Sequence, residues 1–230
     1  MSRLRLALLN AAYDGGNTRR NFRRELAADL VEYDVTQGQL PDTLDVDGCV
    51  VTGSAASVYW DDDWITPFKD WLSTAIDTDL PFLGVCYGHQ ILADVLGGDV
   101  EDMGRYEIGY RDVVHFDNSP LFDGIDRRFR VFTTHSDRVR ALPADAQLLA
   151  ANEYGIHGFR KGNVYGVQFH PEYDMETATT VTEKKDLPDE QMADALAGIT
   201  ADNYAAASRA KQLFENFEGI VAGRKVPATM

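Results

Sequence analysis

Lysine and cysteine are scarce in this chain, and long apolar runs are missing. Only six of its 22 basic residues are lysine, against 37 acidic residues, and the net charge is −15. A chain so acidic lacks the basic surface that nucleic-acid binding needs, so no nucleic-acid partner is expected. Its one short basic cluster, Arg19-Arg20 with Arg23-Arg24, shares a helical stretch with Glu25 and Asp29 and reads as a solvated face. Aspartate outnumbers glutamate 26 to 11. An Asp-rich, Lys-poor surface suits concentrated salt, where screening mutes self-repulsion, so a halophilic source is expected; an ordinary acidic protein is the plain alternative. No stretch of about 18 apolar residues occurs, so neither a membrane-spanning helix nor a membrane partner is expected. Two cysteines, Cys49 and Cys86, are too few to staple a secreted fold, which points to a reducing cytoplasm. The apolar part of Met1–Asn10 is too short for a signal peptide and reads as a first strand closed by Asp14-Gly15-Gly16. Walker-type phosphate loops, dinucleotide fingerprints and zinc-type His/Cys spacings are lacking as well. No cofactor and no metal are therefore expected, and nothing here activates an acceptor with ATP. Asp61-Asp62-Asp63 reads as a charged helix start, because consecutive side chains point in different directions.

What is present alternates. Leu4–Leu9, Val31–Val35, Gly48–Thr52 and Leu80–Val85 read as strands, and 17–30 and 64–76 as helices. Ile65, Phe68, Trp71, Leu72 and Ala75 share one face of the second helix. Such alternation predicts a largely parallel sheet with helices on both faces. From Tyr106 the texture changes to short strand-like runs at 110–116, 129–132, 147–151, 156–160 and 164–169, read as antiparallel additions. Beyond Tyr173 the pattern is helical to about Val221, with breaks near 186–188 and 198–200. The chain thus divides into an α/β domain over 1–175 and a helical extension over 176–230 packed on it.

One stretch carries chemistry. The apolar run 80–85 ends in Cys86, between Gly84 and Gly88, and Ile91, Leu92, Val95 and Leu96 follow at helical spacing. That is a strand, a sharp turn and a helix, with a thiol at the corner over the positive end of the helix dipole. Cys86 is a candidate nucleophile. It needs a base, and the base needs a partner to fix its tautomer. His170 and Glu172 fit these roles: at a strand end, residues two apart point the same way, and Pro171 stiffens the backbone between them. An oxyanion would be held by the backbone N–H of Tyr87 and a donor from the loop Gly53-Ser54, which follows another buried strand. All three segments end strands, where ligands of open α/β sheets gather.

Gly84-Val85-Cys86-Tyr87-Gly88-His89-Gln90 resembles the nucleophile turn of the class I glutamine amidotransferases, the type with Cys, His and Glu. Val167-Gln168-Phe169-His170-Pro171-Glu172 resembles their histidine–glutamate segment. Thr134-His135-Ser136-Asp137 resembles the segment that shapes the glutamine pocket in the GMP synthase group, and Glu107-Ile108-Gly109 a short element of the same family. The resemblance spans about residues 4–173. It implies a flavodoxin-like α/β fold: a mixed, largely parallel sheet with helices on both faces and, here, a helical C-terminal tail. It implies that Cys86 attacks the glutamine side-chain amide, that His170 acts as base and then protonates ammonia, and that Glu172 orients His170. Gln90, Ser136 and Asp137 would bind substrate. The family's oxyanion loop reads Gly-Gly-Pro, where this chain has Gly53-Ser54-Ala55.

Three readings follow. The first is an ammonia donor to a separate synthetase subunit, acting on glutamine. The second is a self-sufficient hydrolase of γ-glutamyl amides or peptides, since the tail could cover the surface where a synthetase would dock. The third is a non-catalytic interaction protein. Cys49 reads as core. His89 reads as packing on its helix and His135 as a pocket-wall or structural residue, while His115 and His157 carry no case beyond packing.

Overall fold

The computed structural model describes residues 3–116 and 119–224; Met1, Ser2 and the last six residues of the expected C-terminal extension lie outside them. Among the described residues a nine-stranded sheet runs in the order β2-β1-β3-β4-β9-β8-β7-β5-β6. Its strands are β1 (Arg5–Asn10), β2 (Asp29–Asp34), β3 (Gly48–Val51), β4 (Phe82–Val85), β5 (Asp99–His115), β6 (Arg128–Ala141), β7 (Gln147–Asn152), β8 (Gly155–Lys161) and β9 (Val164–Val167). The helices are α1 (Gly15–Glu25), α2 (Ile65–Ile76), α3 (Tyr87–Val95), α4 (Met175–Glu183), α5 (Asp189–Ala197), α6 (Ala201–Ala207) and α7 (Gln212–Arg224).

The first five strands in that order are parallel; β8, β7, β5 and β6 add antiparallel. The mixed, largely parallel flavodoxin-like sheet expected from the sequence is what forms. Strands β3, β4 and β9 are buried along their whole length, as strands covered on both faces must be. In β1 the side chains alternate between two cores. Leu6 and Leu8 pack with Phe22 of α1 and with Leu213, Phe214, Phe217 and Val221 of α7. Ala7 and Leu9 face the other way, with Phe68 and Leu72 of α2 and Ile91 and Leu92 of α3. The C-terminal helix α7 thus supplies part of the main core. Cys49 has no exposure and burial pushes its thiol up to about 12, as befits a core residue.

Two boundaries differ from the periodicity. The first helix stops at Glu25, not Leu30: Leu26 turns extended, and the Asp29 N–H donates to the Leu4 carbonyl at 2.8 Å, which starts β2. Pairing with β1 overrides the helical pattern there. Strand β5 begins at Asp99, far upstream of the expected Tyr110, and β6 runs through Thr134–Asp137 to Ala141. This polar stretch is held as strand by cross-strand ion pairs, Arg138 with Glu101 at 2.8 Å and Arg140 with Asp99.

Candidate active site

The sheet order decides where the chemistry meets. β4 lies between β3 and β9, all three parallel, so the loops after them emerge side by side. Those loops carry Cys86, Gly53 and His170. Cys86 sits at φ 55° and ψ −105°, a conformation that non-glycine residues rarely hold. Its N–H donates to the Val167 carbonyl at 2.8 Å, and its own carbonyl accepts from the Gln90 N–H at 3.1 Å. The turn closes only because nothing projects from its flanks. A Cβ on Gly84 would lie 2.3 Å from the Gly88 carbonyl oxygen, and one on Gly88 would lie 2.3 Å from that of Val51.

His170 is fixed from three sides. Its N–H donates to the Phe132 carbonyl at 2.9 Å. Its Nδ1 lies 2.8 Å from Glu172 Oε1. Its ring stacks on Tyr173, centroids 4.1 Å apart. Both His170 and Glu172 are buried. Burial works against charge on the ring, but Glu172 and Cys86, by charge and by hydrogen bonding, outweigh it and push the imidazole up to about 10. Burial beside Glu172 and Cys86 also holds the Tyr173 phenol well above its usual range.

Gly53 closes the third side. A Cβ there would lie 2.9 Å from His170 Cε1 and 3.5 Å from Cys86 Cβ. The loop's departure from Gly-Gly-Pro is braced by its own side chains: the Ala56 N–H donates to Ser54 Oγ at 3.1 Å, and the Ala11 N–H donates to Thr52 Oγ1 at 2.9 Å. Among the described residues no backbone acceptor takes the N–H of Ser54 or of Tyr87, the first residue of α3. A thiol beside a buried imidazole–carboxylate pair is an arrangement able to deliver a sulfur nucleophile.

A cavity of about 280 Å³ opens on Cys86, with Gly53, Ser54, Thr134 and His170 in its wall. Gln90, Ser136 and Asp137 are not in that wall. Gln90 Nε2 instead donates to the Asp137 carbonyl at 2.9 Å and to Gln168 Oε1 at 3.1 Å. The Tyr59 hydroxyl donates to Asp137 Oδ1 at 3.0 Å. Ser136 is half-buried on β6.

Other groups around the site have roles that the sequence reading does not assign. Arg24 of α1 donates to the Glu172 carbonyl at 2.6 Å and pairs with Asp174 at 2.7 Å; Arg20 pairs with Asp174 at 3.0 Å. Two arginines of the expected solvated face thus tie down the segment after His170. Their i, i+4 spacing on α1 was the available hint. Behind the site, Glu107, His135 and His157 converge, all buried. Glu107 Oε2 lies 2.7 Å from His135 Nε2 and 3.1 Å from His157 Nε2, while Asn152 donates to Oε1 at 2.6 Å. Burial opposes the Glu107 charge, but the hydrogen bonds from both histidines outweigh it and hold the carboxyl down at about 2. Among the described residues these three are the group that could ligate a cation, yet both Nε2 atoms address the same carboxylate oxygen, which is hydrogen-bond geometry. His135 Nδ1 continues the chain to the Asp137 carbonyl at 2.8 Å, so His135 is structural and His157 does more than pack. His89 packs on Phe159 at 5.1 Å, and burial drives its imidazole down to about 3. Asp61–Asp63 precede α2 as expected, and the Asp62 carbonyl accepts from the Ile65 N–H at 2.9 Å.

An open, doubly covered α/β sheet with a cysteine on a strained strand-to-helix turn, facing a buried His–Glu pair, defines the architectural class. Residues 15–187 match the family described as glutamine amidotransferase class-I, and the chain belongs to that family. It is 33% identical over 165 residues to the GMP synthase [glutamine-hydrolyzing] of Azoarcus sp., covering 67% of this chain but only 30% of that enzyme. The chain therefore spans under a third of the length of such relatives. It is 33% identical over 153 residues to gamma-glutamyl peptidase 5 of Arabidopsis thaliana, covering 62% of this chain and 61% of that protein. Among solved structures, a glutamine amidotransferase from Thermotoga maritima shares the fold at a TM-score of 0.79 and 23% identity, over 94% of this chain and 99% of that one. No helix among the described residues is long and apolar enough to cross a membrane.

Proposed function

We propose that this protein hydrolyses the side-chain amide of glutamine, or of a related γ-glutamyl compound, through a thioester on Cys86. Cys86 Sγ attacks the γ-carbonyl carbon, and its proton goes to His170. The N–H groups of Tyr87 and the Gly53-Ser54 loop hold the oxyanion. His170 then protonates the departing nitrogen as the C–N bond breaks, with Glu172 stabilising the imidazolium between the two transfers. Water attacks the thioester, the C–S bond breaks, and glutamate leaves. The amino-acid head sits in the Cys86 cavity; Ser136 and Asp137 lie outside its wall, where Gln90 braces the Asp137 carbonyl. The observation that carries this reading is the close approach of Gly53, Cys86 and His170, with Glu172 2.8 Å from the imidazole.

The acceptor of the nitrogen separates two forms of the reading. Similarity to GMP synthases favours ammonia passed to a synthetase partner. The roof that α4 places over the cavity, and similarity to a protein named a gamma-glutamyl peptidase, favour a self-sufficient γ-glutamyl hydrolase. Ammonia release from glutamine by the purified protein, together with covalent labelling of Cys86 by an electrophilic glutamine analogue, tests the common core. A protein that neither turns over glutamine nor takes the label is an interaction protein on this fold.

A further inference from the structure

The cavity at Cys86, about 280 Å³, is also lined by residues outside the catalytic rim. Its wall includes the Gly53 loop, Cys86 and His170, Thr180 of α4, Asp14, and Lys184 and Lys185. The departing nitrogen takes its proton from His170, so the leaving group lies on the His170 side of the sulfur. On that side the wall is Tyr173, stacked on the imidazole, and then α4.

Charge marks the far end. Lys69 pairs with Asp94 at 2.7 Å, Lys211 with Glu25 at 2.7 Å and Lys184 with Asp14 at 3.4 Å. Lys161 donates to the Leu96 carbonyl at 3.4 Å. Lys185 pairs with no carboxylate among the described residues; its ammonium lies over the Tyr106 ring, 5.3 Å from the centroid. In a chain of net charge −15, a lysine without an acidic partner on the nucleophile's own cavity stands out against the surrounding acid.

We propose that Lys185, with Lys184 beside it, receives the carboxylate of the leaving group, so that the favoured substrates are γ-glutamyl conjugates amide-linked to the amino group of an amino acid or peptide. This rests on the thioester reading above and names its substrate class. The step balances without a co-reactant other than water. The Cys86 S–C bond forms, the C–N bond breaks as the His170 proton passes to nitrogen, and the free amino acid leaves. Water then adds to the thioester, the C–S bond breaks, and its proton returns to the sulfur–imidazole pair, yielding glutamate.

The test compares γ-glutamylglycine with γ-glutamylglycinamide, which has the same shape without the terminal charge. The expected kcat/KM ratio of acid to amide is about fivefold in the unaltered protein, the scale of a charge-assisted contact partly screened by solvent. Lys185→Gln should bring the ratio to about one, and Lys185→Arg should keep it. Because the ratio is taken within each protein, a loss of folded material cancels. A ratio near one in the unaltered protein, or a ratio that survives Lys185→Gln, overturns the assignment. Glutamine turnover with no acid preference sinks this subsite alone. Inertness toward every γ-glutamyl compound, with Cys86 unlabelled, sinks the thioester reading and the subsite together.

Discussion

Replacing Glu172 by Gln keeps the shape and an acceptor for the Nδ1–H of His170 while removing one charge. The two groups are 2.8 Å apart and buried, so little water screens them. At a charge separation of about 4 Å and an effective dielectric of about 20, a unit pair attracts by about 4 kcal/mol. At about 1.36 kcal/mol per tenfold, that is about three decades in the ratio of imidazolium to imidazole. Burial opposes the charge, and this attraction together with that of Cys86 lifts the ring from 6.5 to about 10. The imidazolium is the acid that the leaving nitrogen needs. In the unaltered protein the alkaline limb of kcat/KM therefore lies near pH 10, and in Glu172→Gln it drops to about pH 7. Turnover at about pH 9, two pH units above the variant's limb, falls by about 10²-fold, whereas at pH 7 it falls only about twofold. The stability term has the same sign. A folded imidazole raised above 6.5 stabilises the fold fully below that value, and this is lost as pH rises through about 10. Ammonia release followed across a pH series, with melting temperatures on the same samples, reads both. An alkaline limb that stays in place in the variant would refute the assigned pairing.

Four further outcomes are expected. Cys86→Ala abolishes both turnover and labelling, whereas Cys86→Gly does so with a melting temperature about 3 °C higher, because glycine relieves the backbone strain at φ 55°; a lower melting temperature would remove the strain argument. Gly53→Ala puts a Cβ 2.9 Å from His170 Cε1 and should cut turnover by at least about 10²-fold while near-native circular dichroism remains. Glu107→Gln weakens the buried acceptor that His135 and His157 share and should cost about 2 kcal/mol at neutral pH. The Glu107 carboxyl is depressed from 4.5 to about 2, so its stabilisation is present above 4.5 and lost as pH falls through about 2; the variant's melting temperature should be flatter across that window. Molar KCl should raise both melting temperature and turnover by screening a net charge of −15, and full stability in dilute buffer would remove the halophilic expectation.

Much of the local geometry around Cys86 and His170 is legible in the sequence. The Gly84–Gly88 frame around Cys86 reads as a sharp turn because only glycine fits where backbone meets backbone, and the structure puts carbonyl oxygens of Gly88 and Val51 in the space a Cβ would fill. His-x-Glu at a strand end reads as one-sided because strand side chains alternate, and the pair lies at 2.8 Å. Less legible was what packs against these residues from far along the chain. Thr134–Asp137 reads as a pocket-shaping segment with no element assigned and lies within β6, since its polar neighbours find partners when β5 lies alongside. His157 looked like packing and donates to a carboxylate fifty positions upstream. Arg24 looked solvated and holds the carbonyl of Glu172.

Local pattern was enough for the alternation of strands and helices, for the corner that presents Cys86, and for the His170–Glu172 couple, because each depends on neighbours within a few residues. Strand order, which sets β3, β4 and β9 side by side and so brings Gly53 against both Cys86 and His170, came from packing at long range. So did the roof of α4 with Lys185 at its far end, and the buried Glu107 network. Contacts between distant segments cost loop entropy and are held by burial summed over the whole core, which no short window of residues contains.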